Sequence, residues 1–137
     1  MHFLCQTINP KNKEGKLIFI VRLGIKKVEK ILPKLIQTVK SNGYNVLWFC
    51  DPMHGNTINT KNGYKTRNFN TISKELKLFF QIHHIEKTIP GGIHCELTGE
   101  NVTECLGGVN NIQDIDLDLR YNTACDPRLN NEQSLEV

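Results

Sequence analysis

The sequence predicts a parallel α/β fold, and three observations carry that reading. Short, continuous apolar runs rich in β-branched residues recur along the chain, as expected of strands buried on both faces. Amphipathic stretches of helical period lie between them. The crossovers from one run to the next are long enough for parallel pairing, which two-residue hairpins do not permit.

The first run is Leu17-Ile18-Phe19-Ile20-Val21, ending at Arg22. Val28, Ile31, Leu32, Leu35, Ile36 and Val39 then follow the i, i+3, i+4, i+7 spacing of a helix, which Ser41-Asn42-Gly43 should stop. Pro33 sits inside that helix and should cost it a hydrogen bond and kink it. A second buried strand, Asn45 to Phe49, delivers the octapeptide CDPMHGNT at 50–57. Thr57 to Lys65 is polar and contains glycine, so it reads as a loop. Phe69, Ile72, Leu76, Phe79 and Phe80 mark another amphipathic helix, running to about Ile85. Pro90-Gly91-Gly92 should break the chain before a short strand, Ile93 to Leu97. TGEN at 98–101 resembles a helix entry, with Thr or Asn capping and the acid favouring the dipole. Asp114 to Leu119 leads through Arg120-Tyr121 to a last strand-like piece, Tyr121 to Cys125, after which CDP returns as CDPRLN. Three to four β/α units result, with both CDP copies closing a buried strand.

The 137 residues suffice for one domain with one core. A net charge of +3, with dispersed charges, is too mild to imply nucleic acid as a partner. No stretch approaches the ~20 consecutive apolar residues of a membrane helix, and the first residues lack the basic-then-apolar order of a signal peptide. A cytoplasmic protein without a membrane partner is expected. Five cysteines without a C-x-x-C pair argue for reduced thiols over a disulfide framework or a cysteine zinc cluster. Asn, Lys and Ile make up 42 of the 137 residues while arginine appears four times, a bias toward A/T-rich codons that empties surface lysines of meaning. Arg22, Arg67, Arg120 and Arg128 are informative by contrast, because guanidinium is needed for a flat, bidentate grip on phosphate or carboxylate, or for a structural ion pair.

In parallel α/β folds, polar residues at the carboxyl ends of strands converge on one face. Here those ends supply Arg22, Asp51 with His54, Glu96, and Asp126 with Arg128. One imidazole, the two carboxylates of Glu96 and Asp126, and two guanidiniums make a site for a divalent metal beside an anion. His54, Glu96 and Asp126 offer mixed nitrogen and oxygen ligation, suited to Mn²⁺, Fe²⁺, Co²⁺ or Zn²⁺ more than to Ca²⁺, and Arg22 would hold phosphate. Spacings of 42 and 30 residues match no short metal motif. Plain structural readings stand beside this one. His54 could cap the strand end, and Asp-Pro commonly starts a turn. Cys50 and Cys125 read as small buried strand residues, and His83 and His84 suit a helix C-terminus. A metal-dependent hydrolase on an unrelated α/β sheet is also compatible with the bare residues.

Five motifs in order narrow the choice. RLG, WFCDPMHGNT, GYKTRNF, PGGIHCELTGENVTECLGG and RYNTACDPRLNNEQSLE resemble the C-terminal half of the class II 3-deoxy-D-arabino-heptulosonate 7-phosphate (DAHP) synthases, in one register from about Asn9 to Glu136. The resemblance implies the C-terminal half of a (β/α)₈ TIM barrel, with 1–137 a single partial domain and residues 1–8 poorly matched. It implies the first step of the shikimate pathway, toward chorismate and the aromatic amino acids: condensation of phosphoenolpyruvate with erythrose 4-phosphate by a metal-dependent transferase. Manganese is the metal it favours, with Co²⁺, Fe²⁺ or Zn²⁺ as alternatives. Carried over by motif, His54, Glu96 and Asp126 match metal ligands, Arg22 matches a phosphoenolpyruvate-binding arginine, and Lys65 matches a position near the sugar phosphate. Asp51 and Arg67 fall close by.

The family's enzymes are considerably longer, and their amino-terminal part carries a cysteine ligand, further phosphoenolpyruvate contacts and the first barrel strands. The expectation is therefore an enzyme part completed by an N-terminal half, or by association as a homo-oligomer. The alternative is a non-catalytic remnant that binds metal or a phosphorylated ligand, or that associates with a full-length homologue.

Overall fold

The computed structural model describes residues 1–137 as a mixed α/β structure. Its elements are α1 (His2–Ile8), β1 (Ile18–Val21), α2 (Ile25–Ser41), β2 (Leu47–Cys50), β3 (Ile58–Asn59), β4 (Lys65–Thr66), α3 (Phe69–Ile85), β5 (Pro90–Ile93) and α4 (Asn131–Glu136). Strands β1, β2 and β5 form one sheet in that order, and both pairings are parallel, as the crossover lengths require.

Register explains which side of the sheet carries the core. Ile18 pairs with Leu47, Phe19 with Trp48, Ile20 with Phe49 and Val21 with Cys50. Because side chains alternate along a strand, Phe19, Val21, Trp48 and Cys50 share one face. That face meets α2 through Val28, Leu32, Ile36 and Val39, and α3 through Phe69, Ile72, Leu76, Phe79 and Ile82. Each such fully buried side chain contributes roughly 1.5–3 kcal/mol by removal from water. The opposite face carries Ile18, Ile20, Leu47 and Phe49, with Ile18 and Ile20 exposed. It is apolar but only partly covered within this chain, which departs from the expectation of a strand buried on both sides.

Helix α2 runs through Pro33 as one element of 17 residues. Packing of its apolar stripe outweighs the hydrogen bond that proline removes. Helix α3 begins where Asn68 accepts from the Thr71 N–H, a side-chain N-cap.

The structure differs from the sequence expectation in four places. Gly91 and Gly92 lie inside β5 instead of breaking the chain, and the strand ends at Ile93, earlier than predicted. The cause is the Phe49 ring: a Cβ built on Gly91 or Gly92 would lie 2.9 or 2.8 Å from it, so glycine lets the two backbones close. TGEN starts no helix. Glu100 N–H turns back onto Thr98 Oγ1, and Val102, Thr103, Glu104 and Cys105 follow, all buried, a run that no single helix face could bury. Tyr121–Cys125 forms no strand. Thr123 Oγ1 accepts from Cys125 N–H and donates to the Asp126 carbonyl, taking backbone groups that a ladder would use. Cys125 is consequently exposed, whereas Cys50 is buried as expected. The segment 57–65, expected as a loop, contains most of a small antiparallel hairpin in which Ile58 pairs with Thr66 and Asn59 with Lys65.

Candidate metal centre

Asp51, the residue that follows β2, organises the first CDP loop. Its Oδ1 accepts from the backbone N–H of Met53 at 3.0 Å and of His54 at 3.1 Å, which starts the tight helical turn His54–Asn56. Its Oδ2 accepts from His54 Nδ1 at 2.7 Å and forms an ion pair with Arg22 Nε at 2.6 Å. Burial pushes the Asp51 carboxyl up, but the N–H groups of His54 and Met53 and the His54 ring outweigh it and hold the group below its ordinary value. The same loop is tied from the other side. Asn56 Oδ1 accepts from Ile25 N–H at 2.9 Å, at the start of α2, and its amide donates to the buried Glu75 carboxylate. Gly24, with φ of 77°, lies against the Gly55 backbone so closely that neither could carry a side chain.

With Nδ1 engaged by Asp51, His54 turns Nε2 toward Glu96 and Asp126. Nε2 lies 3.5 Å from Glu96 Oε1 and 3.8 Å from Asp126 Oδ2. One ligand atom from each of the three residues falls within 4.8 Å of the others. Donors bound at about 2.1 Å sit about 3 Å apart at right angles and about 4 Å apart when opposite, so this set closes on a small divalent cation with little movement. An imidazole oriented by a carboxylate, beside two further carboxylates, is also the donor chemistry such a cation takes.

Glu96 and Asp126 reach the site on loops, and one contact aligns them. Leu129 N–H donates to the Glu96 carbonyl at 3.0 Å and Thr98 N–H to the Leu129 carbonyl at 2.9 Å, a single parallel bridge between Leu97 and Leu129. The second CDP is therefore positioned by one bridge where the sequence suggested a strand end. Glu104 anchors the rest of that loop. Its buried carboxylate accepts from Arg128 through the backbone N–H at 2.8 Å, Nε at 3.0 Å and Nη2 at 2.7 Å, and from Asn122 N–H at 3.3 Å.

Of the two guanidiniums expected at the centre, Arg22 is there and Arg128 is spent on Glu104. Arg67 takes its place. Its side chain is 0 % exposed. Nη1 pairs with Glu96 Oε2 and donates to the Pro127 carbonyl at 2.6 Å, and Nε donates to Thr57 Oγ1 at 3.0 Å. Nη2 makes no hydrogen bond and lies 3.5 Å from Asp126 Oδ1. Lys65, on β4, pairs with Asp126 Oδ1, and this ammonium holds the Asp126 carboxyl below its ordinary value. Tyr121 secures that strand by donating to the Lys65 carbonyl at 2.6 Å.

The structure thus brings together His54, Glu96, Asp126, Arg22 and Lys65, and adds Asp51 and Arg67 as direct contacts of the cluster. Lys26 and Lys27, which sequence reasoning passed over, line a cavity of about 400 Å³ with Arg22, Gly55 and Thr57. In a lysine-rich chain their composition gave no signal; their place at the start of a helix that follows a strand end did. His94, also passed over, stacks on His54 with ring centroids 6.3 Å apart. His83, expected to owe its place to the C-terminus of α3, is buried and bonds Thr88 Oγ1 at 2.7 Å. No helix of this chain is long and apolar enough to cross a membrane.

Comparison with known proteins matches the Class-II DAHP synthetase family over residues 1–137. The chain is 54% identical over 132 residues to the phospho-2-dehydro-3-deoxyheptonate aldolase AroG of Mycolicibacterium smegmatis, a match covering 96% of this chain and 28% of that protein. It is 49% identical over 132 residues to the phospho-2-dehydro-3-deoxyheptonate aldolase of Streptomyces coelicolor, covering 96% of this chain and 29% of the relative. The chain therefore spans less than a third of the length of these relatives.

Proposed function

The chain belongs to the Class-II DAHP synthetase family, and from that membership we propose that it supplies the metal-bearing part of a DAHP synthase. The single observation that carries this reading is the convergence of His54, Glu96 and Asp126, from three separated segments, within 4.8 Å. The substrates are phosphoenolpyruvate and erythrose 4-phosphate, and the metal is Mn²⁺ or a related divalent ion. C3 of the enolpyruvate bonds to the aldehyde carbon, whose oxygen is protonated. Water adds at C2, and the C2–O bond to phosphate breaks.

The residues of this chain have separable tasks in that reaction. His54, Glu96 and Asp126 would hold the metal, which supplies Lewis acidity toward the aldehyde when bound. Asp51 keeps the His54 proton on Nδ1 and Nε2 free to ligate. Arg22 is anchored through Nε, and its terminal nitrogens serve phosphoenolpyruvate; Lys26 and Lys27 beside it reinforce the attraction for a phosphate. Lys65 stands on the other flank of the cluster, where it serves the sugar phosphate. Fixed cations on two sides offset the repulsion between two phosphorylated substrates and the entropy of bringing them together.

We further infer that the sheet is an arc of a (β/α)₈ barrel completed by amino-terminal strands, with residues 1–137 as one partial domain. In support, the sheet is wholly parallel, α2 and α3 lie on one face, and Ile18, Ile20, Leu47 and Phe49 on the other face suit a barrel interior. β1 also stands at the sheet edge with one side unpaired. Co-expression with the amino-terminal part of a relative, followed by a phosphate-release assay on both substrates, tests the proposal. Activity that vanishes in His54→Ala is the expected result, and an inactive but soluble, verified complex refutes it.

A further inference from the structure

Glu96 and Asp126 each divide their two oxygens between opposite neighbours. On Glu96, Oε2 takes Arg67 Nη1 while Oε1 faces His54 Nε2 at 3.5 Å. On Asp126, Oδ1 takes the Lys65 ammonium, with Arg67 Nη2 3.5 Å away, while Oδ2 faces His54 Nε2 at 3.8 Å. The same partition thus appears on two carboxylates delivered by different segments. Only one oxygen of each is directed toward the imidazole.

We propose that Arg67, seconded by Lys65 on Asp126, is a positioning residue that confines both carboxylates to single-oxygen ligation and so makes the centre prefer Mn²⁺-like cations over Ca²⁺. The inference rests on the metal-centre reading above and adds to it what sets the choice of ion. Ca²⁺ gathers six to eight oxygens and readily takes carboxylates through both oxygens at once. With Arg67 and Lys65 in place, this chain offers one nitrogen and two carboxylate oxygens. With both carboxylates released it would offer up to four oxygens, which suits Ca²⁺ better and leaves fewer positions for substrate.

Arg67 is built for this task in a way that Lys65 is not. Its guanidinium is fully buried and fixed by Thr57 and the Pro127 carbonyl as well as by Glu96. Its hydrogen bonds run through Nε and Nη1, so the fork is locked by one edge while Nη2 stands toward Asp126. The Lys65 side chain is 43% exposed and can swing away. Removing Arg67 should therefore change ion choice more than removing Lys65. The charge of Arg67 also opposes any divalent cation at the centre, so its loss should strengthen binding of both ions, and the released carboxylate oxygens should add further to Ca²⁺ binding.

The test is titration of the purified chain with Mn²⁺, read from the EPR signal of the free ion, and repeated with Ca²⁺ as competitor. In Arg67→Met the ratio of Mn²⁺ to Ca²⁺ affinity should fall about tenfold, within the range by which outer-shell partners alter metal sites. In Arg67→Lys, which keeps the charge and loses the fork, it should also fall, and in Lys65→Met it should fall by a smaller factor. An unchanged ratio in the variants, with Mn²⁺ uptake still abolished by His54→Ala, overturns the inference and leaves the metal centre standing. Mn²⁺ uptake by the parent chain that ignores His54→Ala removes the metal centre and this inference together. Should circular dichroism show the Arg67 variants unfolded, Lys65→Met alone decides, and a ratio equal to the parent's overturns the proposal.

Discussion

Asp51→Asn isolates the orientation of His54 from its presence. The asparagine Oδ1 can still accept from the Met53 and His54 N–H groups, so the loop keeps its local turn. At the other position a carboxylate oxygen that accepts from His54 Nδ1 at 2.7 Å becomes an amide that donates. The imidazole must then accept through Nδ1 and carry its proton on Nε2, the nitrogen 3.5 Å from Glu96 Oε1. A protonated Nε2 donates to Glu96 and cannot ligate. The parent's hydrogen bond from Nδ1–H to a charged carboxylate, about 1.5–3 kcal/mol, no longer favours the ligating tautomer. That range corresponds to roughly 10- to 100-fold in affinity. Arg22 also loses its counter-ion, but its side chain is 51% exposed and the pair adds about 0–1 kcal/mol to the fold at most. Mn²⁺ titration should therefore show at least about tenfold weaker binding, while the thermal midpoint stays close to the parent's. Parent-like affinity in a folded Asp51→Asn variant would show that this contact does not govern His54.

Glu104→Gln should weaken the loop that presents Asp126. Burial pushes the Glu104 carboxyl up, but Arg128 and the Asn122 N–H outweigh it and hold the group below its ordinary 4.5. Its stabilisation is therefore full above the unfolded value and is lost as pH falls through the lower folded one. The parent's urea midpoint should drop in that acid range while the variant's stays flatter, and the variant should be weaker at neutral pH by the low end of about 3–5 kcal/mol. Gly92→Ala places a methyl 2.8 Å from the Phe49 ring and should cost about 1–3 kcal/mol by thermal or urea unfolding; Phe49→Leu in the same chain should recover part of it. Ellman's reagent should react first with the exposed Cys125. Burial pushes the Cys105 thiol up to about 12, and both it and the buried Cys50 should react only on unfolding.

What could be read from the sequence divides by the range of the interactions involved. β1, α2, β2 and α3 announce themselves through runs and periods within a dozen or so residues, and their observed bounds follow those signals closely. The grouping of His54, Glu96 and Asp126 is expected from strand ends and motifs; the three do lie together, but Glu96 and Asp126 arrive on loops and not on strand ends. The course of residues 94–130 was not legible, because its structure comes from pairings such as Leu97 with Leu129 and Thr103 with Arg120, which leave no local pattern. The exchange of Arg128 for Arg67 has the same cause. Both arginines stand beside motif residues, and which one faces the centre depends on Glu104, a residue 24 positions before Arg128.

The hydrogen bonds of Arg67 also bear on the order in which the molecule assembles. They join it to Thr57, Glu96 and Pro127 across sequence separations of 10, 29 and 60 residues. Each doubling of a closed loop adds only about 0.6 kcal/mol of entropy, so the longest closure is thermodynamically affordable. Kinetically it comes late, since distant contacts form after helices and nearby strands. Until the Pro127 carbonyl arrives, the guanidinium keeps its water. Its dehydration and the gathering of the carboxylates are thus one closing event, so competence to bind an ion should trail the recovery of helix during refolding.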